Sequence, residues 1–231
     1  MNNYRSHGLI KSYEQQLVTY SKQLHRQGWV ANHDGNITAR LNNDNFLATP
    51  TGISKIDVEK ELLVVVNKHG KKVSGRMRPF SEISLHLYLY RQRKDINVVL
   101  HAHPPTATGF AVAGIPIETI MMPEPVVSLG DTIPLIPYAK PGTPEFTVNF
   151  TNYVDDSDVF LMQNHGVITI GPDAETAYLR MELVEHLAKI QQVSYQLTGK
   201  INTIAQQDIP HLLSSRTKAG LGKIGRDQKN R

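Results

Sequence analysis

Val98-Val99-Leu100-His101-Ala102-His103-Pro104-Pro105 reads as an apolar strand ending in His-x-His, and residues 105–114, which follow it, read as a helix opened by proline. A strand feeding a helix is the unit of a layered α/β domain. Side chains alternate along a strand, so His101 and His103 share a face and both imidazoles can reach one ion. Spacing by itself leaves open a pair of ordinary strand-end histidines.

The same alternation of elements extends in both directions. Ser12 with Gln15 resembles a capping box, and Leu17, Tyr20 and Leu24 follow at helical spacing until Gly28, which predicts a helix over 13–27. Asn36–Arg40, Phe46–Thr49 and Leu62–Asn67 are β-like stretches separated by Asn, Asp, Gly and Pro clusters. Ile83, His86, Leu87 and Tyr90 mark one face of a helix between Glu82 and Arg93, with Pro79, Ser81 and Glu82 at its start. Downstream, Ile133–Tyr138 reads as extended, Thr143–Tyr153 as a helix, and Val159–Gln163 and Val167–Ile170 as short strands. Pro172-Asp173 opens a long helix to about Thr198, with Ala177, Met181, Val184 and Ala188 as its buried stripe.

With no internal repeat and no Gly- or Ser-rich linker, residues 1–210 are expected to form one α/β domain. The whole chain's 231 residues, 40% apolar and 20% charged, suit a single soluble globular unit. The absence of cysteine excludes disulfides, thiolate metal sites and a cysteine nucleophile, so a transition metal would need nitrogen and oxygen ligands, and ten histidines can supply nitrogen. The net charge of +4 is concentrated at the end of the chain: residues 216–231 hold six Lys or Arg and one Asp, which leaves about −1 for the rest. Residues 211–231 are therefore expected to be a basic, flexible tail rather than part of a basic face, and nucleic acid is not expected as a partner. Residues 1–16 lack the apolar core of a signal peptide and no apolar run suits a membrane span, so no membrane partner and a cytoplasmic location are expected.

A catalytic zinc usually takes three protein ligands and keeps one position open. His165, at the end of the apolar run Phe160-Leu161-Met162 and followed by Gly166, which allows a tight turn, is the best third ligand. His7, His25, His33, His69, His86, His186 and His211 lie on helix faces or in loops without such a pairing, and surface or core packing is expected for them. Gly35-Asn36-Ile37-Thr38 and Thr49-Pro50-Thr51-Gly52 are small polar loops whose backbone N–H groups can cradle an anion, although as isolated motifs they read as plain turns.

Taken in order with Pro79-Phe80-Ser81-Glu82, His101-Ala102-His103, Ile133-Pro134, Pro137-Tyr138, Gly142-Thr143 and Asn164-His165-Gly166, these loops resemble the class II aldolase/adducin family over roughly residues 10–200. The resemblance implies a three-layer α/β/α domain with a central mixed, largely antiparallel sheet. It implies Zn²⁺, with Mn²⁺ or Co²⁺ as alternatives, held by Glu82, His101, His103 and His165. Asn36, Thr51, Gly52 and Ser81 would hold the substrate, Glu82 would also move a proton, and the protein would be a homo-oligomer, a tetramer by resemblance. The reaction implied is C–C bond cleavage in a small sugar phosphate or hydroxy-acid-like substrate through a metal-stabilised enediolate. Decarboxylation, epimerisation or dehydration on the same scaffold, and a non-catalytic adducin-like scaffold, remain alternatives.

Two positions depart from the family pattern. Phe80 stands where a phosphate-binding serine is expected, supplies no donor, and would occupy phosphate space. Residues 117–124 lack the tyrosine that protonates product, and Glu124, if set in an apolar loop that raises its pKa, is the substitute considered.

Overall fold

Alternation of apolar side chains along the strands gives one sheet two buried faces. The structure, a computed structural model, describes residues 2–229. Strands β1 (Asn36–Arg40), β2 (Asn45–Ala48), β3 (Val64–Asn67), β4 (Lys72–Ser74), β5 (Val98–Ala102), β6 (Leu135–Ile136), β7 (Val159–Met162) and β8 (Gly166–Gly171) pair in the order β4-β3-β2-β1-β5-β8-β7-β6. Every neighbouring pair is antiparallel except β6 and β7, which run parallel.

On one face lie α1 (Asn2–Arg26), α3 (Pro105–Ala113) and α6 (Ala174–Thr198), where Leu17, Leu24, Met181 and Val184 pack on Ile37, Val98, Leu100, Ala102 and Leu161. The other face carries α2 (Ile83–Gln92) and α5 (Glu145–Val148), where Leu87, Tyr90, Phe146 and Phe150 pack on Phe46, Val99, Phe160 and Ile168. The result is the three-layer α/β/α domain with a mixed, largely antiparallel sheet. Since Val98, Leu100 and Ala102 enter the first core and Val99 the second, His101 follows Val99 onto the α2 side.

Most elements form where the sequence places them. Asp173 caps α6 by accepting from the Thr176 N–H at 2.7 Å, and Gly199 ends it with φ +72°. Four differences have local causes. Helix α1 begins at Asn2, and Ser12 lies within it, accepting from Gln16 one turn later at 3.0 Å instead of capping. Residues 60–62 form a 3-10 turn before β3, and the helix expected over 143–153 is regular only in α5. Pro123–Leu129 forms helix α4, with Pro123 at its first position and Gly130 after its end.

The segment expected to be a basic, flexible tail carries two helices. Residues Ile209–Lys218 form α7 and Gly222–Lys229 form α8, so a boundary at 210 falls inside a helix. Arg216 donates to the Val127 and Ser128 carbonyls at the end of α4, and Arg226 pairs with Asp95 and Asp158. The basic side chains of this segment that carry these bonds are fastened to the domain instead of being solvated. Among the described residues no helix is long and apolar enough to cross a membrane.

Candidate metal centre

Four elements converge at the end of β5. Antiparallel pairing sets Asn36 of β1 opposite His101 of β5. The turn from β7 to β8 brings His165 beside them, and the start of α2 brings Glu82. The ligand nitrogens of His101, His103 and His165 all lie within 4.8 Å of one another, a group that can hold a metal ion. Glu82 completes it: its Oε1 is 2.9 Å from His165 Nε2 and its Oε2 is 3.6 Å from His101 Nε2.

The surroundings fix which nitrogen faces inward. His101 Nδ1 lies 2.9 Å from the Val167 carbonyl and acts there as the donor, which leaves the Nε2 lone pair pointing into the cluster. His103 turns Nδ1 toward Asp34, 3.4 Å away, and Nε2 toward His101 Nε2 at 3.0 Å. Two acceptor nitrogens at that distance repel unless a cation or a shared proton stands between them. Three imidazoles and a carboxylate in this arrangement match the donor set expected of an open metal site, so the residues present fit a divalent ion.

Electrostatics favour the same state. Burial pushes the His101 imidazole down to about 3 and lowers His103 as well, so both are neutral ligands at pH 7. Burial works against a charged Glu82, but the His101 imidazole and hydrogen bonds from His165 and Asn36 outweigh it and hold the carboxyl below its ordinary range. Asn36 donates to Glu82 Oε2 at 3.2 Å. Exposure rises across the group, from 2% at His101 through 15% at Glu82 and 18% at His165 to 27% at His103, so the cluster has a solvent side.

Glycines and one asparagine make the convergence possible. A Cβ on Gly166 would lie 2.5 Å from His103 Cδ2 and 2.7 Å from the Ala102 carbonyl, so this position is glycine for space. The tight turn itself is taken by Asn164, at φ +55°. Gly35 has φ +74°, and a Cβ there would lie 2.4 Å from Val30 Cγ1 and 3.1 Å from the His101 carbonyl.

The loop residues divide. A bridge between Pro50 and Pro79, and the Thr51 N–H on the Arg78 carbonyl at 3.0 Å, set Thr51 and Gly52 beside the segment that holds Ser81. Gly52 and Ser81 are exposed and Thr51 is partly so, whereas Asn36 is buried with its amide on Glu82. The Phe80 ring does not block this loop: it is 7% exposed and packs inward on Ala48, Val64, Met77 and Ile83, edge-on to His86. Glu124 is exposed in the first turn of α4 and does not lie in the apolar loop expected around it.

Sequence reading missed several neighbours of the site. His86 is fully buried, and its Nδ1 lies 2.8 Å from Thr38 Oγ1, one helical turn below Glu82. Spacing at i+4 from Glu82 was the available signal. Phe146 stacks on His165 at 5.9 Å between ring centroids. Lys55 is buried and donates to the His33 and Ile53 carbonyls, with burial pushing its pKa down to about 8 against the opposing Asp34 charge. Nothing local in the sequence distinguishes that lysine from its exposed neighbours.

Comparison with known proteins agrees with this geometry. Residues 15–192 match the Class II Aldolase and Adducin N-terminal domain. The chain belongs to that family. It is 28% identical over 200 residues to a 3-oxo-tetronate 4-phosphate decarboxylase of Escherichia coli O6:H1, covering 83% of this chain and 94% of that protein. It is 27% identical over 182 residues to an L-fuculose phosphate aldolase of Methanococcus maripaludis, covering 79% of this chain and 97% of that one. Among solved structures, Escherichia coli YgbL, described as a putative aldolase/epimerase/decarboxylase, superposes with a TM-score of 0.80 at 25% identity, covering 88% of this chain and 99% of that chain. An L-fuculose 1-phosphate aldolase also gives 0.80 at 25% identity, covering 88% and 95%.

Proposed function

We propose that this chain is a metal-dependent lyase of the class II aldolase type, cleaving a C–C bond in a small phosphorylated polyhydroxy substrate. The observation that carries the reading is the convergence of His101 Nε2, His103 Nε2, His165 Nε2 and the Glu82 carboxylate on one point. A non-catalytic scaffold has no need of that set. In this reading the four residues hold Zn²⁺, with Mn²⁺ or Co²⁺ as alternatives. The bound ion would act as a Lewis acid on neighbouring substrate oxygens, stabilising the negative charge that develops as the bond breaks.

The protein's own groups then do the remaining work. Glu82 is the proposed proton carrier, oriented by Asn36. Thr51, Gly52 and Ser81 form the proposed substrate-anion loop, lying where backbone N–H groups at the start of α2 add their dipole. The inward Phe80 leaves that loop open, and two of the relatives carry a phosphate in their substrate names, which together support a phosphorylated substrate. A second proton carrier would come from a neighbouring subunit of a homotetramer, and Glu124 could serve only if that subunit covers its exposed side chain. Absence of a membrane-spanning helix among the described residues is compatible with the cytoplasm as the proposed compartment.

Decarboxylation is the second reading, favoured by the resemblance to the 3-oxo-tetronate phosphate decarboxylase. Assays of metal-loaded protein with ketose 1-phosphates and with 3-oxo-acid phosphates separate the two. Release of an aldehyde and a triose phosphate from the ketose 1-phosphate supports the aldolase, and release of carbon dioxide together with the ketone phosphate one carbon shorter from the 3-oxo-acid phosphate supports the decarboxylase. Inactivity on both classes with stoichiometric metal bound would overturn a phosphorylated substrate.

A further inference from the structure

At the opposite end of the central strands from the histidines, four arginines surround two carboxylates. Asp158, 2% exposed just before β7, receives Arg93 at 2.7 Å, Arg180 at 2.8 Å and Arg226 at 3.3 Å, with Arg216 Nη2 at 3.8 Å. Asp95 pairs with Arg93 at 2.7 Å and Arg226 at 3.3 Å. Two carboxylates cannot neutralise four guanidinium groups, and none of the four arginine side chains is more than 16% exposed.

Burying charge without compensation is costly, so the basic excess over the carboxylates in direct contact requires a physical account, Asp131 and Asp156 acting on Arg216 and Arg226 only from further away. Backbone carbonyls of Val154, Ser157, Ile170 and Asp155 take further bonds from Arg93, Arg180 and Arg226, but they carry no charge, and Arg216 Nη2, behind the cavity lining, is buried with no hydrogen-bond partner among the described residues. Burial lowers the pKa of Arg180, Arg216 and Arg226, and the neighbouring arginines lower it further.

The surplus borders open space. A cavity of about 610 Å³ lies against this cluster, lined by Arg93, Lys94, Arg180, Arg226 and Lys229 on the basic side and only Asp95 and Asp158 on the acidic side. That volume is in the range of small-molecule sites. Lysine ammonium groups bind phosphate as point charges, and a phosphate monoester's roughly two negative charges at pH 7 suit a lining whose basic side chains outnumber its carboxylates. The geometry points to a second ligand site, separate from the metal centre, that takes a small phosphate-bearing dianion between α6 and the C-terminal segment 219–229, which includes α8. Because α8 supplies Arg226 and Lys229, an anion there also fastens the C-terminal helix to the domain.

The test is thermal unfolding of the metal-loaded protein during titration with inorganic phosphate, ionic strength being held constant with sodium chloride. The expected result is a saturable rise in Tm that chloride does not reproduce. The rise should persist in Ser81→Ala and in the His101→Ala His103→Ala chain, which remove the anion loop and the metal centre. In Lys94→Gln Lys229→Gln, whose side chains line the cavity, the phosphate midpoint should weaken about tenfold, the size expected for losing charge-assisted contacts. Arg226→Gln should abolish the rise, and the lysine pair keeps the test decisive if that variant folds poorly. Three results would overturn the proposal: no rise beyond chloride, a rise lost in the metal-centre variants but kept in the lysine pair, or stabilisation that follows protein concentration instead of phosphate. The last would mean that a second copy of the chain supplies the missing negative charge.

Discussion

The two ends of the central strands carry opposite electrostatic problems. Where β5 and β8 meet α2, electron-pair donors converge around a point that wants a cation: three imidazoles and a carboxylate with an Asn36 amide behind it. Where β5 and β7 begin, guanidinium groups outnumber the carboxylates they share. The six residue steps from Asp95 to His101 separate these ends by at most roughly 20 Å, at about 3.3 Å per residue. The difference shows how one sheet can supply two binding ends, because strands fix the ends of loops rigidly while loop side chains choose the charge.

The largest effect is expected at the metal end. Glu82→Gln should keep the fold and lower activity by about 10²–10⁴-fold, the usual range for removing a general acid or base, measured as kcat on the best substrate with metal content held equal. Equal kcat in the variant would remove Glu82 from the chemistry.

At the other end the effect falls on stability. Asp158→Asn leaves four buried guanidinium groups with one carboxylate, and breaking a buried ion pair in this way costs about 3–5 kcal/mol. Denaturant unfolding measures it, and a change within about 0.5 kcal/mol, as for an ordinary surface substitution, would show that the cluster is well solvated. Gly166→Ala sharpens the contrast on a smaller scale. Its methyl would meet His103 and the Ala102 carbonyl, so a loss of about 1–3 kcal/mol is expected together with weaker metal binding. Normal stability and metal affinity would show that the turn has room to move.

The smallest effect concerns His86, which burial pushes down to about 3 from 6.5 despite the opposing Glu82 charge. Its unfolded imidazole takes a proton at higher pH than the folded one, so folding stability falls as pH drops from 6.5 toward 3. His86→Gln cannot ionise, and its pH slope in that window should be shallower by up to one proton, read from urea unfolding at several pH values. Parallel curves for the two proteins would contradict the buried neutral state.

The metal end was legible in the sequence because its parts are local. His101 and His103 are two apart on a strand, and His165 and Glu82 each end or begin an element, so spacing and family pattern find them together. Strand and helix order was readable for the same reason. The arginine end was not legible: Arg93, Asp158, Arg180 and Arg226 have no common spacing, and only folding brings them together. Composition misled there, since a run rich in Lys and Arg usually marks a solvated tail, whereas Arg216 and Arg226 are held by α4 carbonyls and by carboxylates. Phe80 misled differently, because a substitution pattern names a residue but not the direction of its ring.

The central claim is tested most directly by metal analysis of the purified protein beside its His101→Ala His103→Ala variant, with each also assayed after chelation. The account predicts close to one divalent ion per chain, lost in the variant, with activity removed by chelation and restored by Zn²⁺, Mn²⁺ or Co²⁺. Metal-free protein that retains activity, or a variant that binds as much metal as the parent, would contradict it.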